Sequence, residues 1–314
     1  MPSGTYRAYA GWLAGRDREQ ARTAWREAMA GLDAPALLPV RAGDTAPGGA
    51  GSITVELSSQ DTAALTARAR QLGLTLGSVV QGGFALVLGD VVGTHDLVVG
   101  TTVSGRQAPV EGIESLVGLL INTVPARLRW RPEQPLAQVL ARFQEEQAEL
   151  LDHQHLGLAE IQRAVGLGEL FDALVVVENL PDAGEPADPS GLVRVVGSHV
   201  RDAVHYPLAL TVLPGERLRL RLEHDPARLG AMAARRFAAR LRALLDQVVA
   251  DPGLPVGRLP AQTADERRET LGRLAGENHA TPAGTLHGAF AAQVRRTPDA
   301  TALIHEGGRT TYAE

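Results

Sequence analysis

The 314-residue chain contains no cysteine. That excludes disulfides, thiolate nucleophiles, paired-cysteine zinc sites and thiol redox chemistry. Lysine is missing as well, since all 31 cationic side chains counted as Lys or Arg are arginine. A phosphate-loop lysine, a Schiff-base lysine and a lysine general base are therefore all excluded. Arginine stays protonated and hydrogen-bonds as a planar fork, so it can clamp or pair but not act as a nucleophile. Aromatic residues make up only 4%, which leaves Leu, Val and Ala to build the core. No apolar run reaches the roughly 20 residues of a membrane-spanning helix. The stretches 79–93 and 115–124 are too short or too interrupted, and the N-terminal residues lack a signal core. These features predict a cytoplasmic protein. The net charge of -5 gives no general attraction to nucleic acid or to an anionic membrane.

What remains is an ordinary globular composition, 44% hydrophobic and 21% charged, long enough for one large domain or two smaller ones. Periodicity predicts one helix over 5–31, carrying Trp12, Leu13, Trp25 and Met29. Residues 41–52 read as a Gly-rich loop, followed by a strand at 53–57 and helices at 60–73 and 77–89. Buried strands are predicted at 96–106 and 115–130, with Pro125 at an edge or an end. Leu136, Val139, Leu140, Phe143, Gln147, Leu150 and Leu151 mark a helix over 135–152. A strand at 170–180 precedes a hairpin in which Leu218, Leu220 and Leu222 alternate with Arg. Asp225 and Pro226 then signal a helix over 226–250, with Leu229, Met232, Phe237 and Leu241 inward. After Asp251 the chain becomes linker-like, with a short charged helix at 263–275 and a further helix near 286–296. The closing residues 300–305 have strand character without an evident partner.

No catalytic constellation emerges from spacing. His153 and His155 form an HxH pair, but no third ligand lies nearby, and a helix C-terminus accounts for them. His205 and His224 sit at strand ends. Glu145, Glu146 and Glu149 lie on the polar face of a helix, and no serine occupies a nucleophile elbow.

Read in order, several segments resemble the condensation domain of nonribosomal peptide synthetases. YRAYAGWL (6–13) is similar to that family's Y-x-x-Y-x-x-W segment. GTTVSGRQAPVEGIESLVGLLINTVPARL (100–128) resembles its Gly-Arg turn, latch and V-G-x-F-x-N-T-x-x-x-R motif, with Leu120 in place of the usual Phe. DHQHLGL (152–158) stands where H-Q-x-x-P is expected, with Gly157 for the proline, and LFDALVVVENLP (170–181) resembles the strand ending in Asn. The segments from TADERRETL to the end resemble the linker to an adenylation domain and the start of that domain.

The resemblance implies an α/β fold like a chloramphenicol-acetyltransferase sandwich lobe, a mixed sheet with flanking helices. It divides the chain into an inter-lobe helical segment (1–45), a C-terminal lobe (46–260), a linker (261–283) and an incomplete adenylation start (284–314). It implies amide-bond formation between acyl groups held as phosphopantetheine thioesters on partner carrier proteins, with no cofactor bound covalently here. The family's HHxxxDG motif is absent from these residues, so no catalytic residue is assigned and the chain is expected to be inactive by itself. Arg106 is expected to pair with the aspartate of that motif and, without it, to turn to solvent or another carboxylate. Asn179 is expected to line the reaction site. Gly105, Gly118, Asn122, Thr123 and Arg127 are expected to hold the latch and floor, and Tyr9 and Trp12 to pack at the lobe junction. The implied partners are carrier proteins, the remaining lobe and the rest of an adenylation domain, with self-association through an uncovered apolar face. Two alternatives stay open: a non-catalytic module that docks carrier proteins, and a stand-alone acyltransferase using His153, His155 or His205.

Overall fold

The computed structural model describes residues 5–39, 51–178, 205–275 and 284–314. Two short helices begin it, α1 (Tyr6–Ala14) and α2 (Arg18–Ala28). The single helix expected over 5–31 is broken because Asp17 caps α2, its carboxylate accepting from the N–H groups of Glu19 and Gln20. Then come β1 (Gly51–Glu56), α3 (Ser59–Gln71), α4 (Leu76–Val92), β2 (Asp96–Val103), β3 (Asn122–Arg129), α5 (Leu136–Glu149) and α6 (Leu158–Val165). They are followed by β4 (Ala173–Val177), β5 (Leu208–Leu213), β6 (Arg219–His224) and α7 (Ala231–Ala250).

Six strands form one mixed sheet in the order β1-β6-β5-β4-β2-β3. The pairs β4–β5 and β2–β4 are parallel and the other three are antiparallel. Successive side chains of β2 go to opposite faces, as strand geometry requires. Leu97 and Val99 join a large core with α3, α4, α5 and α7, while Val98 joins a second core with α2 and α6. Among the described residues no single helix is long and apolar enough to cross a membrane. The most apolar helix, α4, is buried along most of its length.

Three expectations need correction. β3 starts at Asn122, not at 115. The preceding residues form a 3-10 turn (Ile113–Ser115) and an extended segment whose Val117, Leu119 and Ile121 are 91%, 79% and 66% exposed. Their composition favours a strand, but among the described residues no strand pairs with them. Within β3, Pro125 meets the expectation of an edge position: it lies opposite Gly100 on a strand that ends the sheet among the described residues. α7 starts at Ala231, since the Asp225 carboxylate accepts from Ala227 N–H in a separate turn, and Met232 is 56% exposed. Finally, β7 (Thr301–His305) does have a partner, the antiparallel β8 (Gly308–Thr311).

The described chain forms two units, Met1–Glu266 and Arg267–Glu314. In the first, two ionic clamps fix the segments that enter and leave the sheet. Asp172 accepts from Leu38 N–H at 2.9 Å and Arg228 donates to Leu38 C=O at 2.9 Å, so both backbone groups of one core leucine are held. Burial raises the Asp172 pKa, with the Leu38 N–H and Arg228 opposing. At the other end, Thr263 and Glu266 form a reciprocal capping box that starts α8 (Ala264–Leu274), and Glu266 also accepts from Arg240 of α7. The second unit contains α9 (Leu286–Arg296) and the β7–β8 hairpin, with Phe290 against Tyr312 at 5.6 Å. Leu286, Phe290, Leu303 and Ile304 are exposed there.

Candidate functional site

Three distant stretches, 6–16, 104–122 and 151–157, enclose a cleft of about 570 Å³. One wall is a single face of α1. Tyr6, Tyr9 and Trp12 recur every third residue and so line up along the helix. Their rings follow at 5.9 and 5.8 Å, and the Arg16 guanidinium lies 5.3 Å from the Trp12 ring. Burial, then the neighbouring Tyr6, raises the pKa of the Tyr9 hydroxyl, which stays protonated and available as a donor.

The facing wall is the extended segment before β3, drawn against α1 by two close approaches. The Tyr6 hydroxyl donates to Leu119 C=O at 3.2 Å. A Cβ on Gly118 would stand 2.3 Å from the Tyr6 ring, so only glycine lets the backbone lie flat against it. Gly105, at the Gly-Arg turn, has φ +65°, and a Cβ there would lie 2.1 Å from Leu120 C=O. Its neighbour Arg106 does not turn to solvent or to a carboxylate as expected. Its Nη1 donates to three carbonyls of the next turn, Ile113 (2.5 Å), Glu114 (3.1 Å) and Leu116 (3.2 Å). Those three carbonyls carry enough partial negative charge to hold the guanidinium without an anion.

Asn122 closes the floor. Its Nδ2 donates to Gln154 C=O and Leu156 C=O, both at 2.8 Å, and its Oδ1 accepts from Thr123 N–H at 2.9 Å. His155 is thereby brought to the cleft, with Nδ1 donating to Asp152 C=O at 2.9 Å and its ring edge-on to Trp12. Burial lowers the His155 pKa, and Arg16, His153 and Arg18 add to the effect against the Asp152 hydrogen bond.

Of the residues expected at the site, Tyr9, Trp12, Gly105 and Asn122 line this cleft, and Gly118 and Arg106 shape its walls. Thr123 and Arg127 do not. Arg127 is buried away from this cleft, paired with Asp96 at 2.8 and 2.6 Å and donating to the carbonyls of Ala28, the last residue of α2, and Ala30. Asn179 lies outside the described residues. The motif segments contain Tyr6 and His155, but sequence reasoning did not bring Arg16 and His155 to one cleft with the aromatic residues. Arg16 carried a signal, since it stands four residues after Trp12, although it lies just past the end of α1. His155 was marked by its HxH pair and the segment matched to H-Q-x-x-P, but its place in the cleft depends on Asn122.

Comparison with known proteins identifies the family. The family model for the condensation domain matches residues 1–271. Chondramide synthase cmdD of Chondromyces crocatus is 35% identical over 272 residues, 85% of this chain and 7% of that protein. Vanchrobactin synthetase VabF of Vibrio anguillarum is 36% identical over 258 residues, 82% of this chain and 9% of its own length. Among solved structures, a four-domain nonribosomal peptide synthetase bound to AMP and glycine superposes with a TM-score of 0.74 at 20% identity, over 96% of this chain and 24% of that one. The first condensation domain of the CDA synthetase gives 0.64 at 25% identity, over 82% of this chain and 57% of its own. The chain thus spans only a small part of those curated relatives and little more than half of a solved condensation domain, and it belongs to the condensation-domain family of nonribosomal peptide synthetases.

Proposed function

We propose that this chain supplies one lobe of a domain that joins carrier-bound acyl groups through an amide bond. In that reaction the acceptor amine attacks the donor thioester carbonyl. A C–N bond forms, the C–S bond breaks, and the thiol leaves with the proton given up by the amine. The observation that carries the reading is the convergence of Gly105, Gly118, Asn122 and the aromatic segment of α1 on one cleft. The sequence contains no His-His pair, so in this reading the basic histidine comes from residues outside these 314, and the chain contributes walls and floor. Arg106 then has a second role, leaving its three carbonyls for a carboxylate of the completing lobe. By the family resemblance, Asn179 is assigned to the reaction site, to hydrogen-bond the substrates.

The 284–314 segment fits the start of an adenylation domain. Support comes from matches that run through 98% or more of the chain in long synthetases. The exposed Val117, Leu119 and Ile121 fit a face that the completing lobe covers and that otherwise promotes self-association. The test is complementation. This chain is mixed with a separately expressed HHxxxDG-bearing lobe and with loaded donor and acceptor carrier proteins, and amide product is followed by mass spectrometry. Product is expected only when both pieces are present. No product from the mixture, alongside product from an intact two-lobe control, would overturn the reading.

A further inference from the structure

Two side chains at one end of the cleft have hydrogen-bonding capacity that the protein does not use. Arg16 Nη2 and His155 Nδ1 converge on the same oxygen, the Asp152 carbonyl, at 2.7 and 2.9 Å. A carbonyl can only accept, so Nδ1 carries the imidazole proton and Nε2 keeps a lone pair. The Arg16 Nε–H is the opposite kind of group, a donor that stays protonated. Neither Arg16 Nε nor His155 Nε2 has a hydrogen-bond partner, and both are shielded from solvent. Buried polar atoms are ordinarily satisfied, so an unused donor and an unused acceptor on two side chains that share one carbonyl call for an explanation.

The chemistry of a complementary ligand follows from these walls. The body must be flat and apolar to lie along Tyr9 and Trp12, whose rings stack at 5.8 Å and 28°. Its polar end must both accept a hydrogen bond and donate one. A single oxygen does this as a neutral hydroxyl. A carboxylate cannot donate to Nε2, and an ammonium cannot accept from the guanidinium and is repelled by it. A phenol combines both requirements and stays neutral well above pH 7. The cleft's volume of about 570 Å³ leaves room for substituents beyond the ring.

We propose that the cleft is a binding site for an aryl hydroxyl group, its ring against the Tyr9–Trp12 wall and its oxygen bridging Arg16 Nε–H and His155 Nε2. The site stands on the cleft's own geometry and does not depend on amide formation. The Trp12 ring lies against both the guanidinium and the imidazole and would have to shift to admit the ligand oxygen to the shielded pair.

The experiment uses the full nitrogen-15-labelled chain and two probes, p-cresol and toluene, which differ in the hydroxyl alone. The readout is the Trp12 indole N–H resonance, identified by its loss in Trp12→Phe, while Trp25 and Trp130 report that the fold is intact. A saturable shift with p-cresol is expected, with an affinity about tenfold above that for toluene. Arg16→Met and His155→Phe should bring p-cresol down to the toluene level and leave toluene within about twofold. No saturable Trp12 shift up to about 10 mM p-cresol would overturn the site. Equal binding of the two probes by the unaltered chain would overturn the hydroxyl bridge, and so would full p-cresol affinity in both variants.

Discussion

Replacing Arg127 by Met gives the sharpest test of how the first unit is held together. The side chain is 4% exposed and makes four hydrogen bonds, two to the Asp96 carboxylate and two to the Ala28 and Ala30 carbonyls. Met keeps most of the apolar length and removes the whole fork. Three acceptors then lose their donor, one of them ionised. Breaking a buried pair from one side costs about 3–5 kcal/mol. Asp96 is 35% exposed and can be rehydrated in part, so the low end applies, about 3 kcal/mol. With a urea m-value of about 3 kcal/mol/M for a unit of this size, the midpoint should fall by about 1 M. Because the lost carbonyl contacts lie at the C-terminal end of α2 and just beyond it, the Trp25 side chain should become mobile first. It is fully buried in the second core and donates to His153 C=O at 3.0 Å, so its fluorescence should shift red before the far-ultraviolet signal is lost. Arg127→Lys should fall between the two, since an ammonium can serve one acceptor well but not the fork. A midpoint within about 0.3 M of the parent for Arg127→Met would refute the reasoning, because it would mean that water replaces all four bonds at no net cost.

Gly105→Ala combines a left-handed backbone with a Cβ 2.1 Å from Leu120 C=O, whereas Gly31→Ala has φ +74° and open space. Differential scanning calorimetry should give a loss of about 1–2 kcal/mol for Gly31→Ala and about twice that for Gly105→Ala; equal losses would refute the clash. Asn122→Ala should cost about 1–3 kcal/mol and speed hydrogen exchange at residues 153–157. Asn122→Asp should be worse than Ala at neutral pH, since a carboxylate would face the Gln154 and Leu156 carbonyls; protection equal to the parent in either variant would refute the role. His155 has a folded pKa below its ordinary 6.5, chiefly through burial. The unfolded chain therefore takes up the proton first, and stability should decline as pH falls through about 6.5 toward the lower folded value. His155→Phe should remove that share of the slope in melting temperature against pH, and an unchanged slope would refute it.

The sheet and its helices were largely readable because each rests on local pattern. The alternating leucines of β6 and the three-four spacing of α5 predict their own burial, and the structure buries Leu218, Leu220, Val139 and Phe143. Where local pattern and long-range context part, the reading failed. Residues 115–121 have the composition of a strand but pair with no strand among the described residues. The break at Gly15–Asp17 was signalled by a capping residue, yet the aromatic spacing of α1 and the charged face of α2 suggested one continuous helix. The cleft itself had no signature. It exists because Asn122 reaches the 154–156 backbone and Arg106 folds the 113–116 turn, contacts that depend on side chains meeting across the fold. The family motifs marked several of its residues, His155 included, but did not bring it together with Arg16, a geometry that comes from one shared carbonyl oxygen.

Pro125 in β3 has a consequence for the chain in a crowded solution. A sheet edge offers a row of amide donors on which a foreign strand can lay itself down, which is how ordered aggregates start. At Pro125 that row has a gap, in the middle of β3, which with β1 is one of the two strands that end the sheet among the described residues. A second strand approaching from outside finds no amide hydrogen there and cannot bond along the whole of β3. A residue tolerated inside the molecule for its position at the margin thus acts outward as a stop to further sheet growth. Pro125→Val would restore the missing donor and the stop would be gone, with the inside of the fold left almost as it was.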